Sequence, residues 1–180
     1  MEKIKVKVTC IEYPTDQDWI ACKERALVTV GLKVKNPPTD EWKKSILKAR
    51  HSPIRRLRFS FYLEDVPYWT VGHIVRHVHA QPYVKSQRND RQEEYDREKA
   101  PQDAPVNCIW DMNAEELMVI ANKRLCRQAS DKTRELVRMI CDEVVKTNPE
   151  FAEFLVPMCQ YVGECKEMNP CGERGENDIR

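Results

Sequence analysis

Apolar and polar residues alternate near the start of the chain: Ile4, Val6, Val8 and Cys10 against Lys3, Lys5, Lys7 and Thr9. A period of two predicts a half-buried strand. Residues 16–33 predict a helix, opened by Thr15 with Asp18 three residues on as a capping pair. Asn36-Pro37-Pro38 breaks the chain, and Thr39 is placed to cap a helix over 40–49. Leu57, Phe59, Phe61 and Leu63 alternate with Arg58, Ser60 and Tyr62, a second strand. Pro67 suits a first helical turn, and Val71, Ile74, Val75 and Val78 follow at helical spacing, so this helix is expected to reach residue 79. Pro82 ends it. Val106 to Trp110 reads as a short third strand. Asn113 with Glu116 is placed to cap a helix whose buried stripe is Leu117, Ile120, Ala121 and Leu125. A further helix is expected over 131–147 with Leu136, Met139, Ile140 and Val144 inward, then a short one near 149–155 and a cysteine-bearing tail over 157–180 whose last residues are expected to fray.

The order is strand, helices, strand, helix, strand, helices. It predicts a single mixed domain, α/β or α+β, over residues 1–180. With 180 residues, of which 41% are hydrophobic and 33% charged, the chain can bury a substantial core under a heavily charged surface. Lys plus Arg number 30 and Asp plus Glu 29, a formal charge of +1, so no global field favours nucleic acid. No apolar run approaches the roughly 18 residues of a membrane span, and the N-terminus lacks a signal-peptide core. A cytoplasmic protein with reduced thiols is expected, without a membrane partner. Neither GxGxxG nor GxxxxGK[ST] is present, which removes the Rossmann fingerprint and the P-loop as signals.

Local clusters change the picture more than the totals. All four histidines lie between residues 51 and 79, and His73 and His77 are four apart, hence on one face of the expected helix. An HExxH metal site needs a carboxylate between them. Arg76 stands there instead, so no metal site is expected. Arg76 and His77, followed by Lys85, Ser86 and Arg88, suit a phosphate or a planar anionic heterocycle. An ordinary basic helix terminus fits them equally well. Lys123, Arg124, Arg127, Lys132 and Arg134 form a second basic group around Asn122 and Gln128, which a solvated face would also explain. From Lys85 to Lys99, ten of fifteen residues are charged, which suits a solvated loop or exposed helix. Cys159, Cys165 and Cys171 are spaced unlike a zinc ribbon and read as thiols.

The string RHVHAQPYVKS, residues 76–86, resembles the RHR-x7-S signature of the flavin-dependent thymidylate synthases, with the family's spacing from Arg76 to Ser86. Ser86-Gln87-Arg88 resembles the S-x-R that follows. Upstream, His51-Ser52-Pro53 and Phe59-Ser60-Phe61 are similar to the SP-x-EH-xx-F-x-F segment. Downstream, NKRLCRQASDKTR, residues 122–134, resembles N-x-R…AQ-x-EIR.

The resemblance implies a ThyX-like fold with a twisted sheet flanked by helices, assembled as a homotetramer. It implies methylation of dUMP, with carbon from methylenetetrahydrofolate and hydride from reduced FAD, the flavin being reduced by NADPH. Carried over, Arg76, His77 and Arg134 would serve the reaction. Arg76, Ser86, Gln87, Arg88 and Arg134 would hold dUMP. Ser52, Arg76, His77, Asn122, Arg124 and Gln128 would hold FAD. The chain departs from the pattern at several points: Val78 for the third signature Arg, Arg55-Arg56 for the Glu-His pair, Pro67-Tyr68 for Ser-Arg, His73 for Gln, Val84 for Glu, Ala129-Ser130 for Ala-Gln and Lys132 for Glu. Two other readings follow from these departures. One is an enzyme that modifies another pyrimidine nucleotide, for instance by hydroxymethylation. The other is a nucleotide-binding homologue without activity.

Overall fold

The computed structural model describes residues 6–88, 90 and 96–172. Ile4 and its lysine neighbours, and the centre of the charged 85–99 stretch, lie outside the described residues. Four antiparallel strands form one sheet in the order β1-β2-β4-β3: β1 Lys7–Glu12, β2 Arg58–Pro67, β3 Gln81–Val84 and β4 Pro105–Asn113. The helices are α1 Asp16–Val28, α2 Asp40–Ala49, α3 Tyr68–Ile74, α4 Ala114–Arg124, α5 Asp131–Thr147 and α6 Met158–Val162.

The sheet is built on period two. Phe59, Phe61 and Leu63 of β2 stand opposite Met112, Trp110 and Cys108 of β4, and all six are buried. Val8 of β1 faces Leu63 from the other side. Of the residues between them, Tyr62, Ile109 and Asp111 are only half-buried, while Ser60 is buried and donates to the Asp111 carboxylate. The helices therefore cover one face, giving a two-layer α+β arrangement. Trp19 of α1 and Phe59 both pack on Phe151, at 6.0 and 5.3 Å between ring centres, the second edge-to-face.

The capping residues read from sequence hold. Thr15 Oγ1 accepts from the Asp18 amide, while the Asp18 carboxylate accepts from the Thr15 amide, a reciprocal box. Thr39 accepts from the Trp42 amide and Asn113 from the Glu116 amide. Thr15→Ala is expected to lower the unfolding free energy by about 1 kcal/mol, read as a lower urea midpoint at unchanged slope.

Four expectations need correction. The first helix stops at Val28, not residue 33, because Thr29 and Val30 are β-branched and Gly31 turns left-handed at φ 73°. The 149–155 segment begins as a 3-10 turn over Pro149–Phe151, and the tail beyond it holds α6, which carries no clear apolar period. β4 spans nine residues and is an interior strand of the sheet. The largest difference is in α3. It ends at Ile74, and residues 81–84 form an edge strand instead. Pro82 is tolerated at an edge and pushes Gln81 into extended backbone, so pairing with β4 wins over helical spacing. His73 and His77 thus do not share one helix face.

The entry to α3 is set by a bulge in β2 between Leu63 and Val66. Asp65 there adopts φ 56°, and its amide donates to Asn107 Oδ1 at 3.0 Å. The bulge lies just before Pro67, the last residue of β2 and the N-cap of α3.

Candidate functional site

With α3 ended at Ile74, Arg76, His77 and Val78 lie in a turn rather than on a helix. That turn closes through the Ala80 amide, which donates to the His77 carbonyl at 3.0 Å. It aims His77 inward, only 8% exposed, toward both ends of α4. Arg124, in the last turn of α4, donates from Nε to His77 Nε2 at 3.0 Å and from Nη2 to the His73 carbonyl at 2.8 Å. Glu116, in the first turn of α4, lies 3.2 Å from His77 Nδ1.

The protons follow from this geometry. Arg124 brings a hydrogen to Nε2, so Nε2 must accept, and the imidazole carries its proton on Nδ1 and donates it to Glu116. Burial, with the Arg124 cation behind it, pushes the His77 pKa down to about 4. Burial also raises the Glu116 carboxyl above its usual value, with Glu115 adding to this and His79 opposing it. Burial, then the nearby Arg76 cation, lowers the Arg124 guanidinium.

This chain of groups borders a cavity of about 490 Å³ whose lining includes Arg55, Arg76, Val78, Glu115 and Glu116. Arg55 occupies the position where the family pattern has Glu. Its guanidinium is in contact with the Glu115 carboxylate. A carboxylate therefore remains on this wall, supplied by α4. Arg76 and Val78 are exposed at the rim.

A second cavity, about 410 Å³, holds Ser86, Gln87 and Arg88 beside Trp69, Val75 and Val84. Ser86 Oγ accepts from the Arg88 amide at 3.3 Å. The Arg88 guanidinium grips Asp90 with two parallel bonds of 2.8 and 2.7 Å. Arg134 lines a third cavity, about 500 Å³. Its Nη1 caps the carbonyls of Arg127 and Ala129 at 3.2 and 3.3 Å, and its Nη2 meets Asp131 at 2.6 Å. These three cavities share no lining residue.

The expected site residues therefore divide. His77 and Arg124, 47 positions apart, meet directly. Ser86, Gln87 and Arg88 stay together. Ser52 opens the 3-10 turn Ser52–Arg56, exposed and outside these linings. Gln128 donates to the Asn169 carbonyl at 2.6 Å and ties down the tail. Asn122 is fully buried: its amide donates to the carbonyls of Val156 at 2.6 Å and Phe154 at 3.4 Å, and its oxygen accepts from Arg50. It holds a loop and reaches no cavity surface.

Sequence reasoning took Glu116 only as a capping partner. Its backbone amide satisfies Asn113, which leaves the carboxylate free to face His77. A signal was available: Glu116 lies four residues before Ile120, on the apolar stripe, and a buried carboxylate needs a partner. His73 gives its ring to Thr133 Oγ1 at 2.9 Å, a pairing no spacing rule announces. Cys165 and Cys171 are free thiols, and the described residues contain no group of three or more potential metal ligands. No helix among them is long and apolar enough to cross a membrane.

Residues 89–150 match the family model described as thymidylate synthase complementing protein, Thy1. No curated protein sequence gives a significant match. Among solved structures, thymidylate synthase X from Helicobacter pylori with FAD and dUMP is similar, with a TM-score of 0.67 and 16% identity over 83% of this chain and 99% of that one. A second Helicobacter pylori ThyX complex with FAD and dUMP gives 0.61 and 18%, over 76% and 93%. The UMP/dUMP methylase PolB from Streptomyces cacaoi, bound with 5-Br dUMP, gives 0.64 and 14%, over 84% and 97%. At these identities the structural likeness is one of fold.

Proposed function

We propose, from a chain that is ThyX-like in its family match and in its fold, that it is a flavin-dependent thymidylate synthase, methylating dUMP with methylenetetrahydrofolate as carbon donor. The observation that carries this reading is the meeting of Arg124 with His77 and the His73 carbonyl. It joins the two segments that resemble the family's signatures beside one cavity lined by both cations and carboxylates. The donor set suits a flavin dinucleotide. Arg76 is an exposed cation at the rim, Arg55 lies on the wall, and a pyrophosphate would accept from both. Reduced FAD would supply the hydride, with NADPH as its reductant.

This chain's own residues bind and orient. Arg76, fixed by the turn that buries His77, presents a cation where negative charge develops on an activated uracil ring. His77 stays neutral and anchors that turn, with Glu116 fixing its tautomer. Arg88 can exchange Asp90 for a phosphate, because both offer two coplanar oxygens to the guanidinium fork. Ser86, an unactivated hydroxyl, binds rather than attacks. One ThyX-like domain, with its tail as part of it, would work as a cytoplasmic homotetramer. Three cavities without a shared lining residue suit a site completed by neighbouring copies. Asn122 and Gln128, engaged elsewhere, act on this site only by holding its surroundings.

The purified protein is expected to be yellow or to turn yellow on adding FAD, and to release tritium from dUMP labelled at C5 given NADPH and the folate. Colourless protein that fails to take up FAD would overturn the reading. Arg88→Lys is expected to leave flavin uptake intact while weakening dUMP binding by about 1–3 kcal/mol in calorimetric titration. Equal affinities would remove Arg88 from the nucleotide site.

Val84 lines the cavity of Ser86 and Arg88 where the family pattern has Glu, which favours a second reading: a different pyrimidine nucleotide as substrate. Turnover of other deoxynucleotides or of UMP, followed by mass spectrometry, separates it from strict dUMP methylation.

A further inference from the structure

The third cavity gathers cations from separate parts of the chain. Arg127 comes from the turn after α4, Arg134 and Arg138 from successive turns of α5, and Gln160 from α6. Leu125 and Leu155, both nearly buried, form part of its apolar lining. No carboxylate lines it among the described residues. Arg134 is neutralised by Asp131, but Arg127 and Arg138 are exposed and their side chains make no ion pair or hydrogen bond among the described residues. A volume of about 500 Å³ lies within the usual range of small-ligand clefts.

The cavity is also held in shape. Arg134 fixes the turn carrying Arg127 by capping two of its carbonyls. Fully buried Asn122 pins the 154–156 segment that supplies the opposite wall. Arg50, bonded to Asn122, lies 4.2 Å from the centre of the Tyr161 ring, whose hydroxyl donates to the Lys48 carbonyl at 2.8 Å, so α6 is fixed as well. Two guanidinium forks that make no ion pair among the described residues line one cavity without a carboxylate, and they match phosphate geometry.

We propose that this cavity is a phosphate site, with Arg127 and Arg138 as its ligand-contacting residues and Gln160 as a neutral donor. It takes a ligand whose phosphate carries two or more negative charges, either a nucleotide or free pyrophosphate. Arg134, which the resemblance assigns to dUMP, lines the same cavity, so the nucleotide form of the proposal rests on the proposed function, whereas pyrophosphate binding itself needs no flavin.

The test is calorimetric titration of inorganic pyrophosphate into three proteins: wild type, Arg127→Ala/Arg138→Ala, and Lys132→Ala/Lys146→Ala. Both lysines are exposed and paired within α5, so the second variant removes the same charge away from the cavity. Pyrophosphate is expected to bind the arginine variant about tenfold more weakly or worse, and the lysine variant within about twofold of wild type. No measurable binding to wild type, equal affinity in all three, or an equal loss in both variants would overturn the site. Competition by dUMP but not by deoxyuridine would give a nucleotide as the source of the phosphate. Retained pyrophosphate binding without competition would give the free ion. FAD uptake is read separately by absorption, so failure of the reaction and failure of this site are distinguishable.

Discussion

Replacing Asn122 by alanine is expected to lower the unfolding free energy by about 3 kcal/mol, with a matching drop in urea midpoint. The side chain is fully buried and serves three partners: the carbonyls of Val156 and Phe154, and the Arg50 guanidinium. Alanine strands them. Each buried polar group left unpaired costs about 1–3 kcal/mol, and one of these carries a charge. Solvent can reach part of the loosened loop, which keeps the sum toward the lower end. The same change should loosen the wall of the Arg127–Arg138 cavity and weaken pyrophosphate binding, although Asn122 touches no ligand there. A loss below about 0.5 kcal/mol would show that the loop is held by its apolar contacts instead.

Acid is expected to destabilise the protein through His77. Its folded pKa, about 4, lies below the ordinary 6.5, because burial and Arg124 both oppose its charge. Between those values the unfolded chain binds a proton that the folded chain refuses. Stability from this group is therefore complete above pH 6.5 and falls as pH drops toward 4, by on the order of 3 kcal/mol in all. Glu116 works in the opposite sense. Burial raises its pKa, so the folded state takes up that proton first and gains stability as the pH falls. Two variants separate the contributions in melting curves recorded from pH 7 to 4. His77→Gln should flatten the acid loss relative to wild type, and Glu116→Gln should steepen it. The other groups facing the pair, Arg124, Arg76, Glu115 and His79, remain in both variants. A wild-type slope unchanged by His77→Gln would place the acid sensitivity elsewhere.

The local elements were largely legible. Period-two and period-3.6 patterns located β1, β2, α4 and α5, the last with its boundaries, because each contributes regularly spaced apolar residues to one core. Caps at Thr15, Thr39 and Asn113 were legible because a hydroxyl or amide three residues before a free amide is a local geometry. The segment after Ile74 was not. Val75 and Val78 continue an apparent helical period, yet both are exposed. The pairing of residues 81–84 with β4 decided the turn, and that pairing is non-local.

The candidate site divides along the same line. The residue types, and the resemblance of the segments around Arg76, Ser86 and Asn122 to family signatures, are properties of the string of letters. Which of those residues touch is not, since Arg124 reaches His77 only because α4 lies beside the turn that ends α3. Sequence placed Asn122 and Gln128 beside Arg124 as equals. The fold buried Asn122 beneath a loop, sent Gln128 to the tail and left Arg124 on the histidine. By itself the sequence determined β1, β2, the middle of β4, the capped helices and the inventory of cations. Only the tertiary structure decided that His77 is neutral, that Glu116 fixes its proton, and that Arg127 and Arg138 share a cavity without a carboxylate. The reason is physical: periodicity and capping act over a few residues, whereas desolvation and charge pairing depend on which distant segments exclude water from the same space.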